Sequence, residues 1–258
     1  MDKDMNVVII GTGNVATILG KLLVSKGHKV LEVVGRAKQK ATSLANICGA
    51  KPILDFSAIT DTADIYIIAV SDKAIEIVAK QLILKNKLVV HTAGSVSINI
   101  FNMPGNNYGV LWPLQTLRKE METVPPIPFV VDAVNEATYV TLLNFTKTLT
   151  DTVFRANDAK RIKLHLTAVM VSNFTNHLYA LANDYCHKEA LDFKLLLPLI
   201  EETVNRIKTY PPHTVQTGPA SRKDVTTIAN HLGLLKPHPT LQKIYHLMSD
   251  SIMENKPL

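Results

Sequence analysis

The most constraining feature of this chain lies in its first 35 residues. Asn6 to Ile10 (NVVII) is a short apolar run that leads directly into Gly11-Thr12-Gly13-Asn14-Val15-Ala16. From Asn14 to Ser25 the apolar residues Val15, Ile18, Leu19, Leu22 and Leu23 recur at helical spacing. Lys26-Gly27-His28 ends that helix, and Lys29 to Gly35 (KVLEVVG) is a second β-branched run. A strand, a glycine turn, a helix and a second strand in this order make a βαβ unit, which requires two parallel strands in one sheet.

The glycine turn has the form G-x-G-x-x-A, and each position has a physical reason. Gly11 permits the tight turn out of the strand, Gly13 lets the backbone approach a pyrophosphate, and Ala16 lets the helix pack closely. An anion there meets the free N–H groups and the positive end of the helix dipole. Gly11, Thr12, Gly13, Asn14, Val15 and Ala16 are therefore expected to bind a dinucleotide. NAD binders usually place Asp or Glu at the end of the second strand to hold the ribose hydroxyls. Here that strand ends Val33-Val34-Gly35-Arg36, and Glu32 comes too early. Arg36 suits a 2′-phosphate through bidentate hydrogen bonds and stacking, with Lys38 and Lys40 adding charge. The pattern favours NADP (as NADPH) over NAD, with Gly35 and Arg36 as further cofactor residues. The plainer reading of Arg36 is a surface arginine opening a helix.

The alternation continues. Ala37 to Ile47 reads as a helix, Ala63 to Val70 as a buried strand, Asp72 to Leu84 as an amphipathic helix, and Leu88 to Thr92 as a strand. Tyr108 to Leu111 and Phe129 to Val131 are further strands, followed by a helix over Asn135 to Leu149 and a strand over Thr152 to Arg155. This predicts an α/β Rossmann-type, doubly wound, mostly parallel sheet. After Asn157 the pattern is helical throughout: Lys160 to Tyr185, Phe193 to Tyr210, Asp224 to Leu234 and Thr240 to Met253. The expected domains are residues 1–156, binding the cofactor, and 157–258, an all-α domain for substrate and dimerisation.

The carboxyl ends of parallel strands form the ligand crevice of such sheets. Val70 and Ser71 are expected to line it, with Asp72 as a helix cap. Ala93 and Gly94 follow the next strand, and Gly94 suggests close backbone approach. His91 is open to two readings, a core histidine or a site residue. Trp112-Pro113-Leu114-Gln115-Thr116 suggests a shaped loop at the same rim. On the long helix from Lys160, His165 and Asn176 fall about 20° apart under uniform α-helical winding, with Ser172 on the other side of His165. Asn173 and His177 lie one turn apart on the flank. That helix is rich in Leu, Val, Ala and Met, so it is expected to be largely buried, and its polar groups then need partners. These groups either face a substrate in an interdomain cleft or form a polar seam between helices. Arg222, in the loop Thr217 to Asp224, either orients a substrate anion or clasps an acidic neighbour. The expected catalytic set is Asn173, His165, Asn176, His177 and Arg222.

Composition narrows the class. Apolar residues make up 47% and charged residues 19%, an ordinary globular balance. No apolar run approaches the roughly 20 residues that span a bilayer, and the charged N-terminal stretch does not read as a signal peptide. Two cysteines give neither a disulfide framework nor metal spacing, so no metal is expected and the compartment reads as cytoplasmic. The net charge of +6 is spread without a basic block, so nucleic acid is not expected as a partner.

The segments GTGNVA, the strand end GR, HTAGS, GVLWPLQT, HLTAVMVSNFTNHLY and QTGPASRKD together resemble a bacterial family. Its members join a Rossmann-like NADP-binding domain to a C-terminal helical domain of unknown function. The resemblance covers essentially the whole chain. Members often read His-Pro where this chain has Trp112-Pro113, and Arg-Gly-Asp where it has Arg222-Lys223-Asp224. More distantly the layout is similar to pyrroline-5-carboxylate reductase, the 6-phosphogluconate dehydrogenase group and deazaflavin-dependent NADP reductases. The resemblance implies an NADP-dependent oxidoreductase with its site between domains and a homodimer built through the helical domain. The expected reaction is reduction of a carbonyl or imine of a small, acidic metabolite. The alternative is an NADP-binding sensor or scaffold that does not turn over.

Overall fold

In the computed structural model, which describes residues 4–101 and 107–254, the βαβ pattern becomes one eight-stranded sheet. The strands are β1 (Asn6–Ile10), β2 (Lys29–Val34), β3 (Lys51–Ile53), β4 (Ile65–Ile68), β5 (Leu88–His91), β6 (Asn107–Pro113), β7 (Phe129–Ala133) and β8 (Val153–Arg155). Their order is β3-β2-β1-β4-β5-β6-β7-β8. β1 to β6 are parallel, β7 is antiparallel to β6, and β8 is parallel to β7. Helices α1 (Asn14–Ser25), α2 (Lys38–Cys48), α3 (Asp72–Gln81) and α4 (Glu136–Leu149) lie between strands. The chain leaves β1 for β2 on one side and later adds β4 on the other. The switch point of a doubly wound sheet therefore falls at the carboxyl ends of β1 and β4.

Alternating side chains of the strands feed two cores. Val7 and Ile9 of β1, with Ile65 and Ile67 of β4, pack with Ile18 and Leu19 of α1 and Phe145 of α4. Val8, Ile10, Tyr66 and Ile68 point the other way and pack with Ile75 and Val78 of α3. Both faces are covered, which is why these strands read as continuous apolar runs rather than alternating ones.

The sequence reading and the structure differ in places. β3, only Lys-Pro-Ile at the sheet edge, is too short to leave a periodic signal. α3 ends at Gln81 rather than Leu84: Leu82 is extended, and buried Leu82 and Leu84 flank an exposed Ile83, the in-and-out pattern of extended chain. Asp72 opens α3, but the cap position is Ser71.

Among the described residues no strand follows β8. The helices there are α5 (Asp158–Ala168), α6 (Thr175–Lys188), α7 (Leu197–Thr209), α8 (Val225–Leu234) and α9 (Pro239–Glu254). The chain divides into two compact units at Ser172/Asn173, inside the long helix, so α5 belongs with the sheet. Two expectations about that helix change. Val169–Phe174 forms a π-turn, which puts an extra residue into the winding. The angular separations of a uniform α-helix therefore do not carry across it. Nor is the helix largely buried within its own chain: Leu166 is 60% exposed, Met170 53%, Val171 74% and Phe174 59%. Apolar composition marks a face to be covered, without saying by what. No described helix is long and apolar enough to cross a membrane.

Candidate functional site

The turn after β1 is built around Gly11. Its φ of +132° is rarely open to an L side chain, and a Cβ there would sit 2.1 Å from the carbonyl oxygen of Ala69. A Cβ on Gly13, by contrast, would have nothing within 4 Å, so the backbone there borders open space. Gly13 is the N-cap of α1, with no side chain capping the helix and no acidic residue in its first turn. Three other helices are capped by side chains: Asn135 accepts from Thr138 N–H at α4, Asn157 from Lys160 N–H at α5, and Asp224 from Thr227 N–H at α8, whereas α2, α3 and α7 start without one. The start of α1 is thus left with its N–H groups uncapped by side chains and its dipole uncompensated, the condition that suits an anionic ligand.

This turn borders a groove of about 620 Å³. Gly11, Thr12, Gly13, Asn14, Val15, Gly35, Arg36, Val70 and Ser71 all line it. Ala16 does not: it is fully buried beneath, where its small side chain lets α1 pack on the sheet. Ile10, Val34 and Ala69 from the strand ends, with Phe56, Ala74, Ile77, Val78 and Gln81, complete the wall. The sequence reading missed these eight. A single apolar face on α3 gave a signal, but nothing separated its groove-lining residues from its core ones. Arg36 is exposed at the lip of the groove. Glu32, the one carboxylate in β2, is 6% exposed and accepts the Thr60 N–H at 2.9 Å, so it is engaged away from any ribose. The donor set therefore fits a dinucleotide with a 2′-phosphate: uncapped amides for the diphosphate, a guanidinium at the end of β2, and no free acid beside it.

Ala93 and Gly94 are buried just past β5 rather than lining this groove. The loop is bonded to its neighbours: Thr92 N–H donates to Ile68 O, and Ser95 Oγ donates to Asp72 at 2.5 Å. A Cβ on Gly94 would meet Trp112 at 2.6 Å and His165 at 2.8 Å, so those rings press directly on the backbone. Their centroids are 5.7 Å apart. Ser172 Oγ and Thr116 Oγ1 are hydrogen-bonded at 2.8 Å. His165 and Ser172 thus stand with the β5 and β6 loops in the first unit. His91 is a core histidine: it is fully buried, its Nδ1 accepts the Ala93 N–H, and burial pushes its pKa down to about 4.

In the second unit Asn173, Asn176 and His177 are exposed on the helix that continues into α6. Arg222 is also exposed and is in no ion pair among the described residues. Asp224, an acidic neighbour that the alternative reading would have it clasp, instead binds Thr227 through N–H and Oγ1 as the cap of α8.

A doubly wound sheet with an uncapped glycine turn at its switch point and a cation at the end of β2 defines a Rossmann-type oxidoreductase domain. Residues 6–94 match the family model described as "NADP oxidoreductase coenzyme F420-dependent", and residues 127–252 match "Domain of unknown function (DUF2520)". A candidate NADP oxidoreductase from Bacteroides fragilis, BF3122, is 38% identical, with 98% of this chain and 99% of that one covered at a TM-score of 0.91. This chain belongs to that family of NADP oxidoreductases, which joins the two domains. Protein TM1727 from Thermotoga maritima is 22% identical over 96% of this chain and 97% of its own (TM-score 0.74). A reductive aminase from Aspergillus terreus in complex with NADPH and ethyl levulinate shares the fold at 14% identity, over 98% and 95% (TM-score 0.72). No curated protein matches the chain.

Proposed function

We propose that the chain binds NADP(H) in the 620 Å³ groove and reduces a carbonyl or imine carbon of a small acidic metabolite. The observation that carries the reading is the pairing of an uncapped α1 terminus with Arg36 at the groove lip. The amides of Asn14 and Val15 hold the diphosphate, and Arg36 holds the 2′-phosphate, with Lys38 and Lys40 nearby on α2. When bound, the reduced cofactor supplies a hydride, and the protein's task is to orient the acceptor and manage the proton. His165, braced by Trp112 and Gly94, is assigned the proton-donating role. Asn173 and Asn176 are assigned to polarise the acceptor, His177 to assist, and Arg222 to orient an acidic group. The reductive aminase bound to NADPH and a keto ester supports a carbonyl- or imine-type acceptor.

NADPH oxidation against a panel of keto acids, aldehydes and cyclic imines tests the reading. Turnover of any member supports an enzyme. Tight NADPH binding with no turnover across the panel supports the sensor alternative.

We extend the proposal to a homodimer. Leu166, Met170, Val171 and Phe174 form an exposed apolar run that a second copy would cover. Sedimentation of the full chain checks this: a monomer at micromolar concentration contradicts it.

A further inference from the structure

The most expensive group in the first unit is one that the proposed chemistry does not use. Arg161, in the first turns of α5, has the largest fully buried side chain among the described residues, with 1% of its surface exposed. A guanidinium out of water is tolerated only when its surroundings fix it. Its Nη2 donates at 2.6 Å to the carbonyl of Val96 and at 2.6 Å to Asp158. Asp158 in turn accepts from Ile98 N–H at 3.2 Å and from the Ser97 hydroxyl. Burial alone would raise the Asp158 pKa, but the hydrogen bonds from Ser97, Ile98 and Arg161 outweigh it and keep the carboxyl low.

The other end of the same loop is held by His91. With Nδ1 accepting from Ala93, the neutral ring carries its proton on Nε2. Arg161 Nε and Nη1 are buried without a hydrogen-bond partner among the described residues, and His91 faces the Ser97 backbone. A well-packed core would not keep two such guanidinium nitrogens for stability's sake. Charged and polar groups from β5 and α5 thus bear on one stretch, residues 93–98. That stretch carries Gly94, against which Trp112 and His165 pack, and Ser95, tied to Asp72 next to groove residue Ser71.

We infer that Arg161 is a positioning residue: it clamps the 93–98 loop to α5 and so sets the Gly94–Trp112–His165 wall beside the cofactor groove. The inference rests on the reading of that groove as the NADP(H) site. Arg161 does not line the groove, and its side chain acts through Val96 and Asp158.

The test uses the full-length chain and the substitution Arg161→Met, which keeps bulk and removes the fork. Hydrogen exchange of peptides covering 92–101 is compared with that of β1 and β4. Trp112, the single tryptophan, reports the wall through energy transfer from its indole to bound NADPH. The expected result is exchange about tenfold faster in 92–101 alone, NADPH affinity within twofold of wild type, and altered transfer at equal saturation. Unchanged loop exchange, or equal acceleration in β1 and β4, overturns the clamp. Should Arg161→Met not fold, Ser97→Ala, at an exposed position, is read in its place: a smaller rise confined to the loop is expected, and no rise overturns the inference. Failure of the wild type to bind NADPH would instead remove the groove reading, while the exchange data still decide the clamp.

Discussion

Gly11 lies so close to Ala69 that a single added carbon would sit 2.1 Å from the Ala69 carbonyl oxygen. The turn after β1 and the end of β4 are therefore fitted to each other through backbone alone. Gly11→Ala should destabilise the chain by about 1–3 kcal/mol, from the positive φ alone, and abolish cofactor binding. Gly13→Ala has room within the protein and should cost at most about 1 kcal/mol of stability while still weakening cofactor binding at least tenfold. Thermal unfolding and cofactor titration of both variants separate fold from site. Equal effects of the two on stability would contradict the assignment.

Arg36→Ala should raise the NADPH dissociation constant about 10- to 100-fold, the range of a lost charge-assisted hydrogen-bond pair, and leave NADH affinity unchanged. Parallel titrations with the two coenzymes check this. An equal loss for both would mean that Arg36 serves the diphosphate or the fold rather than the 2′-phosphate.

The buried His91 makes stability depend on pH. Its folded pKa of about 4 lies below the ordinary histidine value of 6.5, so the unfolded chain binds the proton first as pH falls. Its contribution should be fully present above about pH 6.5 and be lost progressively down to about pH 4, reaching about 3 kcal/mol at the end. Urea unfolding across that window should show the slope in the wild type and a smaller one in His91→Asn. The raised pKa of Asp132, caused mainly by burial, acts in the opposite sense at lower pH.

Asn173→Ala should lower turnover about tenfold or more, with NADPH affinity unchanged, since the residue lies outside the cofactor groove. Unchanged turnover would remove Asn173 from the chemistry.

Much of this was legible in the sequence where local chemistry dictates structure. The glycine turn is readable because only glycine fits at Gly11, and the strands of the central sheet because both their faces are buried. Arg36 and the displaced Glu32 could be placed because strand length fixes which residue stands at the end of β2. Long-range pairing was not readable. Nothing in Asn107–Pro113 announces that its partner β7 runs antiparallel, and nothing local marks Arg161 as buried, since one of its two acceptors, Val96, lies 65 residues away in sequence. The π-turn at Val169–Phe174 was hidden for a related reason: it contains no Gly or Pro to mark a break, so the winding error enters any wheel drawn through it.

The most direct measurement is calorimetric titration of the full-length chain with NADPH and with NADH. The account predicts saturable binding of one NADPH per chain, at least tenfold tighter than NADH. Absence of binding to either coenzyme at millimolar concentration, or a clear preference for NADH, would contradict it.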